Sequence, residues 1–389
     1  MDSILKRTRG DRVIWIVVII LSLVSMLAVY SSTGSLAFKY ENGNTQYYLL
    51  KHFMIFSLGI AMMYLAHLVN YRYFSRISQL LLYISVPLLA LTLLFGTDIN
   101  DAKRWLTIPV VNLSFQTSDL AKLALIMYLA RVLSKNQNDI KDLKKGFLPA
   151  MIPTVIVCGL IAPSNLSTSA ILFATAVLLM FIGRISIRHL AITAGAGIGL
   201  LAIIVLLAVN TSFHARVLTW ENRMHNFGNG SAVVSTTEIN NSYQVNQAKI
   251  AIARGQFFGV GPGNSLQRNF LPSCYSDYIF AIILEEYGMI GAVALIILYL
   301  LFLLRCIKIF VRSPGAFGAF LAVGLSFSLV IQALINMMVV VNLLPVTGVT
   351  LPLVSMGGTS LWFTSLAIGI VLSVSQNVKQ EETIDVNAA

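Results

Sequence analysis

DYIFAIILEEYGMIGAVALIILYLLFLL, residues 277–304, decides the fold. Its only charged residues are Asp277 at the first position and the neighbours Glu285 and Glu286. A helix rises about 1.5 Å per residue and a bilayer's hydrocarbon core is about 30 Å thick, so about 20 apolar residues cross it. Working outward, further apolar runs fall at about 13–31, 53–68, 80–96, 118–134, 148–163, 169–183, 190–209, 320–341 and 361–376. The composition agrees: of 389 residues, 57% are hydrophobic and 11% charged, about half the charged fraction of an ordinary soluble domain. A soluble globular enzyme is excluded. The expectation is an all-α, polytopic integral membrane protein with about ten transmembrane helices in a single domain, 1–389, without internal repeats. The fourth and fifth runs are marginal in length, which suits the interior of a bundle better than a plain lipid-facing helix.

The net charge of +11 has to be sorted by segment before it implies a partner. The first run follows Lys6, Arg7, Arg9 and Arg12, and Ser35-Leu36-Ala37 after it loosely resembles a signal-peptide cleavage site. Its length makes it an uncleaved first span instead. With residues 1–12 in the cytoplasm, the inner segments hold 16 Lys and Arg against 5 in the short outer ones. That asymmetry obeys the positive-inside rule. Both termini, 1–12 and 377–389, are therefore expected in the cytoplasm, with a large extracytoplasmic loop, 210–276, between helices 7 and 8. Most of the basicity is an orientation signal, and no nucleic acid partner is expected.

What remains is charge that topology does not explain. Of the acidic residues, only Asp119, Asp277, Glu285 and Glu286 sit in or at the mouth of a span. A carboxylate in mid-membrane costs about 2.5–3.5 kcal/mol on insertion scales, so such residues are functional candidates. Asp277 enters span 8 either as a helix N-cap, where Asp is favoured, or as a reactive carboxylate. On a continuous helix Glu285 would lie about 80° round and about 12 Å deeper, with Glu286 on the opposite side. Both also fit a buried structural pairing with Lys or Arg. Just upstream, Gly259-Val260-Gly261-Pro262-Gly263-Asn264-Ser265 lets backbone approach a ligand or another chain segment closely.

Two further stretches carry polar groups toward the same side. Lys103-Arg104-Trp105-Leu106 leads through Gln116, Thr117, Ser118 and Asp119 to Lys122 in span 4. Trp105 suits a membrane interface. Asp119 and Lys122, at i and i+3, are either a self-neutralising pair or, with Arg104, part of a site for an anionic headgroup. Gln332 and Asn336 lie at i and i+4 in span 9, and amides there commonly bond neighbouring helices. The uncharged loop after them, 344–360 with Pro345 and Pro352, resembles a re-entrant or cavity-lining segment. Cys158, Cys274 and Cys306 are too scattered for a disulfide framework or metal cluster. No HExxH pattern, Walker loop or dinucleotide loop is present, so no organic cofactor is expected.

Together these stretches resemble the SEDS family of bacterial cell-wall polymerases, whose branches are FtsW, RodA and SpoVE. The resemblance runs from about 13 to 376 and is strongest over 244–291: the glycine-rich stretch, Leu271-Pro272, Asp277-Tyr278-Ile279-Phe280-Ala281 and Glu285-Glu286-Tyr287-Gly288. Lys103-Arg104-Trp105-Leu106 with Gln116, Ser118 and Lys122 matches a second signature, and Leu351-Pro352-Leu353-Val354-Ser355 with Gly357-Gly358-Thr359-Ser360 a third. The chain departs from the family at Thr117-Ser118-Asp119, where Pro-Ser-Glu is usual. It departs again at Pro163-Ser164-Asn165, where Pro-Asp is common, and at Ser273, which replaces a glutamate. No role is assigned to Asn165.

The resemblance implies a peptidoglycan glycosyltransferase that polymerises lipid II into β-1,4-linked glycan and releases undecaprenyl diphosphate at the outer face of the inner membrane. Asp277 matches the catalytic aspartate. The resemblance places the substrate among Arg104, Lys122, Gln116, Ser118, Asp119, Trp105, Glu285, Gly261, Asn264 and Ser265. It further implies a divalent cation, Mg or Mn, with ligands unknown. The implied partners are a class B penicillin-binding transpeptidase and other membrane proteins of the division complex. Short tails and the N-terminal region lean toward the FtsW branch and the division septum. The alternatives are an elongation-type, RodA-like polymerase and a lipid II flippase.

Overall fold

The computed structural model describes residues 10–40, 43–99, 102–108, 113–193, 195 and 236–388. Helices dominate: α1 Arg12–Ser32, α2 Gly34–Tyr40, α3 Thr45–Leu68, α4 Tyr71–Phe95, α5 Thr117–Lys135, α6 Leu148–Ile161 and α7 Leu166–Ile182, then α8 Thr236–Gly255, α9 Ile279–Arg312, α10 Ala316–Val340 and α11 Thr359–Ala388. Among the described residues seven helical segments are long and apolar enough to cross a membrane. The shorter apolar α7 and the charge-bearing α5 match the expected sixth and fourth spans. The expected seventh span, 190–209, and the first part of the outer loop fall almost wholly outside the described residues.

The outer segments carry structure of their own. β1 Thr97–Ile99, β2 Ala102–Ile108 and β3 Leu113–Gln116 form an antiparallel sheet in that order, with Trp105 opposite Gln116. Its Thr, Ile, Trp, Leu and Phe are strand formers, and at seven residues β2 is too short for a span. Within the large outer loop, α8 and residues 256–278 pack onto α9.

Helices approach closely where glycine permits. A Cβ on Gly369 of α11 would lie 2.4 Å from the Met63 carbonyl oxygen of α3, the small-residue contact by which membrane helices pack. Asp11 caps α1 through Val13 N at 2.8 Å, lies 3.9 Å from Arg305, and its backbone N–H donates to Ser375 Oγ at 3.0 Å. The start of α1, the far end of α9 and this part of α11 thus meet at one end of the bundle, and Asp277 lies at the other.

The segment after α10 goes back inside. Leu351, Leu353, Val354 and Ser355 are buried. Ser25 of α1 donates to the Val354 carbonyl at 3.0 Å, and Tyr299 of α9 donates to that of Pro352. These donors lie well within their helices, so non-helical backbone reaches membrane depth where protein groups satisfy it. The re-entrant expectation describes this segment.

α9 explains how the Asp277 end is built. α9 and α10 are joined by a turn at Ser313–Gly315. Counted from it, Asn336 lies about 30 Å along α10, whereas a straight α9 would put Asp277 about 50 Å away. Yet Asn336 Nδ2 donates to the Asp277 carbonyl at 2.8 Å. The break at Gly288, φ 65 and ψ −164, resolves the mismatch. Residues 279–287 leave the axis of the long helix and bring Asp277 down onto α10.

Candidate active site

Asp277 stands in a turn, one residue before the α9 N-cap position, Tyr278, which makes no side-chain cap. The N-cap reading of Asp277 is therefore corrected. So is the helical arithmetic relating it to Glu285, since no continuous helix joins the two. Ser276 Oγ donates to Asp277 Oδ1 at 2.8 Å, and a Cβ on Gly348 would sit 3.4 Å from Oδ2. The main chain here is held from α10 and the re-entrant segment. Asn336 Nδ2 donates to the carbonyls of Asp277 at 2.8 Å and Val349 at 2.6 Å. Ser355 Oγ donates to the Ser276 carbonyl at 2.6 Å, and Met356 N–H to that of Tyr275 at 2.9 Å.

One helical turn along α10, Gln332 donates to the Thr350 carbonyl at 2.9 Å and accepts from Lys122 Nζ at 3.2 Å. Lys122 is also 2.7 Å from Asp119 Oδ1, and Asp119 is 4% exposed. The self-neutralising pair is thus present, and it opens on a small cavity lined also by Gln332, Ser360 and Thr364. Asp119 Oδ2 and Asn336 Oδ1 are buried without a hydrogen-bond partner among the described residues. Gln116 Nε2 donates to Ser118 Oγ at 2.9 Å.

Arg104 is elsewhere. Its Nε donates to the Ser164 carbonyl at 2.9 Å, and it lines a separate small cavity with Thr117, Ser118, Ser164 and Asn165. Asn165 caps α7 through Thr168 N at 3.1 Å. Arg104 and Lys122 therefore occupy two cavities on either side of the first turn of α5, not one headgroup site. The β2–β3 pairing holds Trp105 beside Gln116 at this rim.

The glycine-rich stretch serves the chain itself. Glu285 is 0% exposed and accepts from Arg254 Nη1 at 2.8 Å, Leu266 N at 3.1 Å, Gln267 N at 3.3 Å and Ser265 Oγ. Four donors occupy the two oxygens, so Glu285 with Ser265 forms an internal brace, the structural pairing with Arg that the sequence also allows. Gly261 N–H donates to the Glu286 carbonyl at 3.0 Å, and Asn264 Nδ2 to that of Val260 at 3.1 Å. Both lie in the loop clamped on the Gly288 break. Glu286 is buried and accepts from Ser31 of α1.

Gln332 and Asn336 are the residues that sequence reasoning singled out without placing in the site. Their i, i+4 spacing was the signal, but nothing in sequence shows that both aim at loop carbonyls. Asn336→Leu, which keeps the volume and removes both donors, leaves two buried carbonyls short. Each costs about 1–3 kcal/mol. The expected outcome is a clearly lowered melting temperature, read by thermal unfolding of the purified protein.

Fold and site together define a polytopic α-helical membrane protein with polar cavities and a firmly held carboxylate, Asp277, at one end. The chain belongs to the FtsW/RodA/SpoVE family of cell cycle proteins, whose model matches residues 11–380. It is 32% identical to the probable peptidoglycan glycosyltransferase FtsW of Trichlorobacter lovleyi over 95% of this chain and 94% of that protein. It is 31% identical to stage V sporulation protein E of Bacillus subtilis over 95% of this chain and 98% of that one. The rod shape determining protein RodA of Thermus thermophilus shares the fold with a TM-score of 0.67 at 22% identity, over 95% of this chain and 97% of that one. A chain from a peptidoglycan synthase complex, solved for its coordination of polymerization and crosslinking, superposes with a TM-score of 0.69 at 24% identity, covering 95% of this chain and 99% of that one.

Proposed function

We propose that this inner-membrane protein is a peptidoglycan glycosyltransferase that polymerises lipid II with Asp277 as its general base. The carrying observation is the anchoring of Asp277. The helix begins two residues after Asp277; Ser276 bonds the carboxylate, and Asn336, Ser355 and the re-entrant segment hold the main chain that carries it. In this reading Asp277 takes the proton from the acceptor sugar's 4-hydroxyl as that oxygen attacks the donor's anomeric carbon. The α-linked diphosphate leaves and a β-1,4 bond forms, an inversion that needs one base and no covalent intermediate.

The leaving diphosphate needs positive charge. Lys122 supplies it from one helical turn below Asp277's anchor, and Arg104 takes a second anionic group in the neighbouring cavity. Gln116, Ser118 and Trp105 line the rim between them. A divalent cation, Mg or Mn, is proposed as one carried in on the diphosphate. Among the described residues no group of three or more His, Cys, Asp or Glu could hold a metal ion, and Mg²⁺ ordinarily takes one or two carboxylates plus phosphate oxygens. Asp119, with its unpartnered Oδ2, would hold it, and the bound ion would neutralise charge on the diphosphate.

The positive-inside count supports an outward-facing Asp277 end. The FtsW names of the relatives support septal synthesis over elongation. A class B penicillin-binding transpeptidase and other division-complex membrane proteins are the proposed partners, because glycan strands need cross-linking.

Purified protein in detergent, given lipid II and its transpeptidase, is expected to yield glycan polymer on a gel. A flippase makes none, since detergent removes the compartments and transport leaves the substrate unchanged. Arg104→Ala is expected to raise KM for lipid II. Lys122→Ala, made together with Asp119→Asn so that no buried carboxylate is orphaned, is expected to lower kcat. Unchanged kinetics in both variants would remove these cations from the site.

A further inference from the structure

Phe257 and Phe258 are 71% and 82% exposed, although the main chain carrying them is firmly held. The carbonyl of Gln256, a residue at φ 45, accepts from Met289 N–H at 2.9 Å, and that of Phe257 from Ile290 N–H at 3.3 Å. This pairing fixes the level of the two rings against α9. From the same two residues downward, α9 exposes Met289, Ile290, Val293, Ile297, Leu301 and Leu304, with no charge before Arg305. Apolar side chains at three-and-four spacing on the outside of a spanning helix form a lipid-facing stripe. From Ile290 to Arg305 the helix rises about 22 Å, the greater part of one hydrocarbon thickness. The aromatic turn therefore stands at the rim of the hydrocarbon layer, continuous with the top of the stripe. Exposed Lys249, about two turns before Gln256 on α8, adds a cation on the approach to this turn.

We propose that the Gln256–Phe258 turn is a lipid anchor, its two rings seated in the leaflet at the Asp277 end of the bundle. Interfacial segments bury their apolar rings about 5–10 Å into the headgroup–acyl boundary. The anchored turn is the same one that clamps the Gly288 break, so the bilayer braces the backbone that presents Asp277. Only this last consequence rests on the proposed function; the membrane contact does not.

The test places a nitroxide on Phe258→Cys in the full chain, reconstituted in nanodiscs of phosphatidylethanolamine and phosphatidylglycerol. The native cysteines are buried, and burial pushes the Cys274 thiol up to about 12, so the introduced thiol reacts first. Power saturation compares collisions with oxygen, which partitions into lipid, and with a water-soluble nickel chelate. Leu300→Cys on the stripe and the exposed Asn264→Cys give the lipid and water references. The oxygen-to-nickel ratio at 258 is expected near that of 300 and several-fold above that of 264. A ratio equal to that of 264 overturns the anchor. Protection from both agents also overturns it, because the rings are then covered by protein. Catalytic activity enters neither readout, so failure of the anchor is distinguishable from failure of the enzymatic reading.

Discussion

Asp277→Asn is expected to lower lipid II polymerisation by about 10²–10⁴-fold, the usual contribution of a positioned base, while the protein remains folded in the membrane. The substitution is nearly isosteric. Asn336 grips the main-chain carbonyl of residue 277, not its side chain, so the anchoring survives the change. Ser276 Oγ, which donates to Oδ1, keeps an oxygen to donate to. Only the capacity to take a proton is lost. Because Asp277 does not cap α9, no loss of helix stability accompanies the change, and melting temperature and gel-filtration profile should match those of the wild type. A variant with wild-type polymer yield would sink the base assignment. A fully misfolded one would show that the carboxylate is structural.

The spans were legible because hydrocarbon thickness sets one number that apolar runs must meet, and 277–304 meets it. Its interior was less so. Pattern reasoning treats an apolar run as one helix and placed Glu285 by 100° steps from Asp277, but Gly288 ends that regularity. Glycine in a helix is common enough that its φ cannot be read from sequence. The glycine-rich loop was open to a ligand or to another chain segment, and the partner proved to be α9 itself, through backbone bonds that carry no side-chain signature. Asp119 with Lys122 was visible as an i, i+3 pair. Arg104 lay in a different cavity because the β2–β3 pairing, which loose alternation did not reveal, turns it toward Ser164. The polar residues were readable from their types. Their division into the Asp277 turn, two cation-bearing cavities and an internal brace depended on contacts between segments far apart in the chain.

Gly288→Ala is expected to disable the site from a position that touches no substrate. Gly288 sits at φ 65 and ψ −164, in a region open essentially to glycine alone. Forcing another residue there costs about 1–3 kcal/mol. The added Cβ would also meet the Phe257 carbonyl oxygen at 2.4 Å and Gly259 N at 2.5 Å, both backbone atoms that cannot rotate away. Relief means releasing the 256–261 clamp, whose bonds to the backbone of residues 285, 286, 289 and 290 each contribute about 0.5–1.5 kcal/mol. Alternatively α9 straightens through 288, and a straight α9 carries residue 277 away from Asn336. Either route moves the carboxylate, and a displacement of about 1 Å suffices for about a 10²-fold loss. The expected result is a clearly lowered melting temperature together with a rate loss approaching that of Asp277→Asn, while the protein still inserts and is recovered from membranes. Gly263→Ala is the matched control. It too has a positive φ, 76, but nothing lies within 4 Å of its Cβ, so it bears the conformational cost alone and keeps most of its activity. If the two variants behaved alike, the break at Gly288 would be incidental, and the placement of Asp277 would rest on the re-entrant segment and Asn336 without help from the clamp.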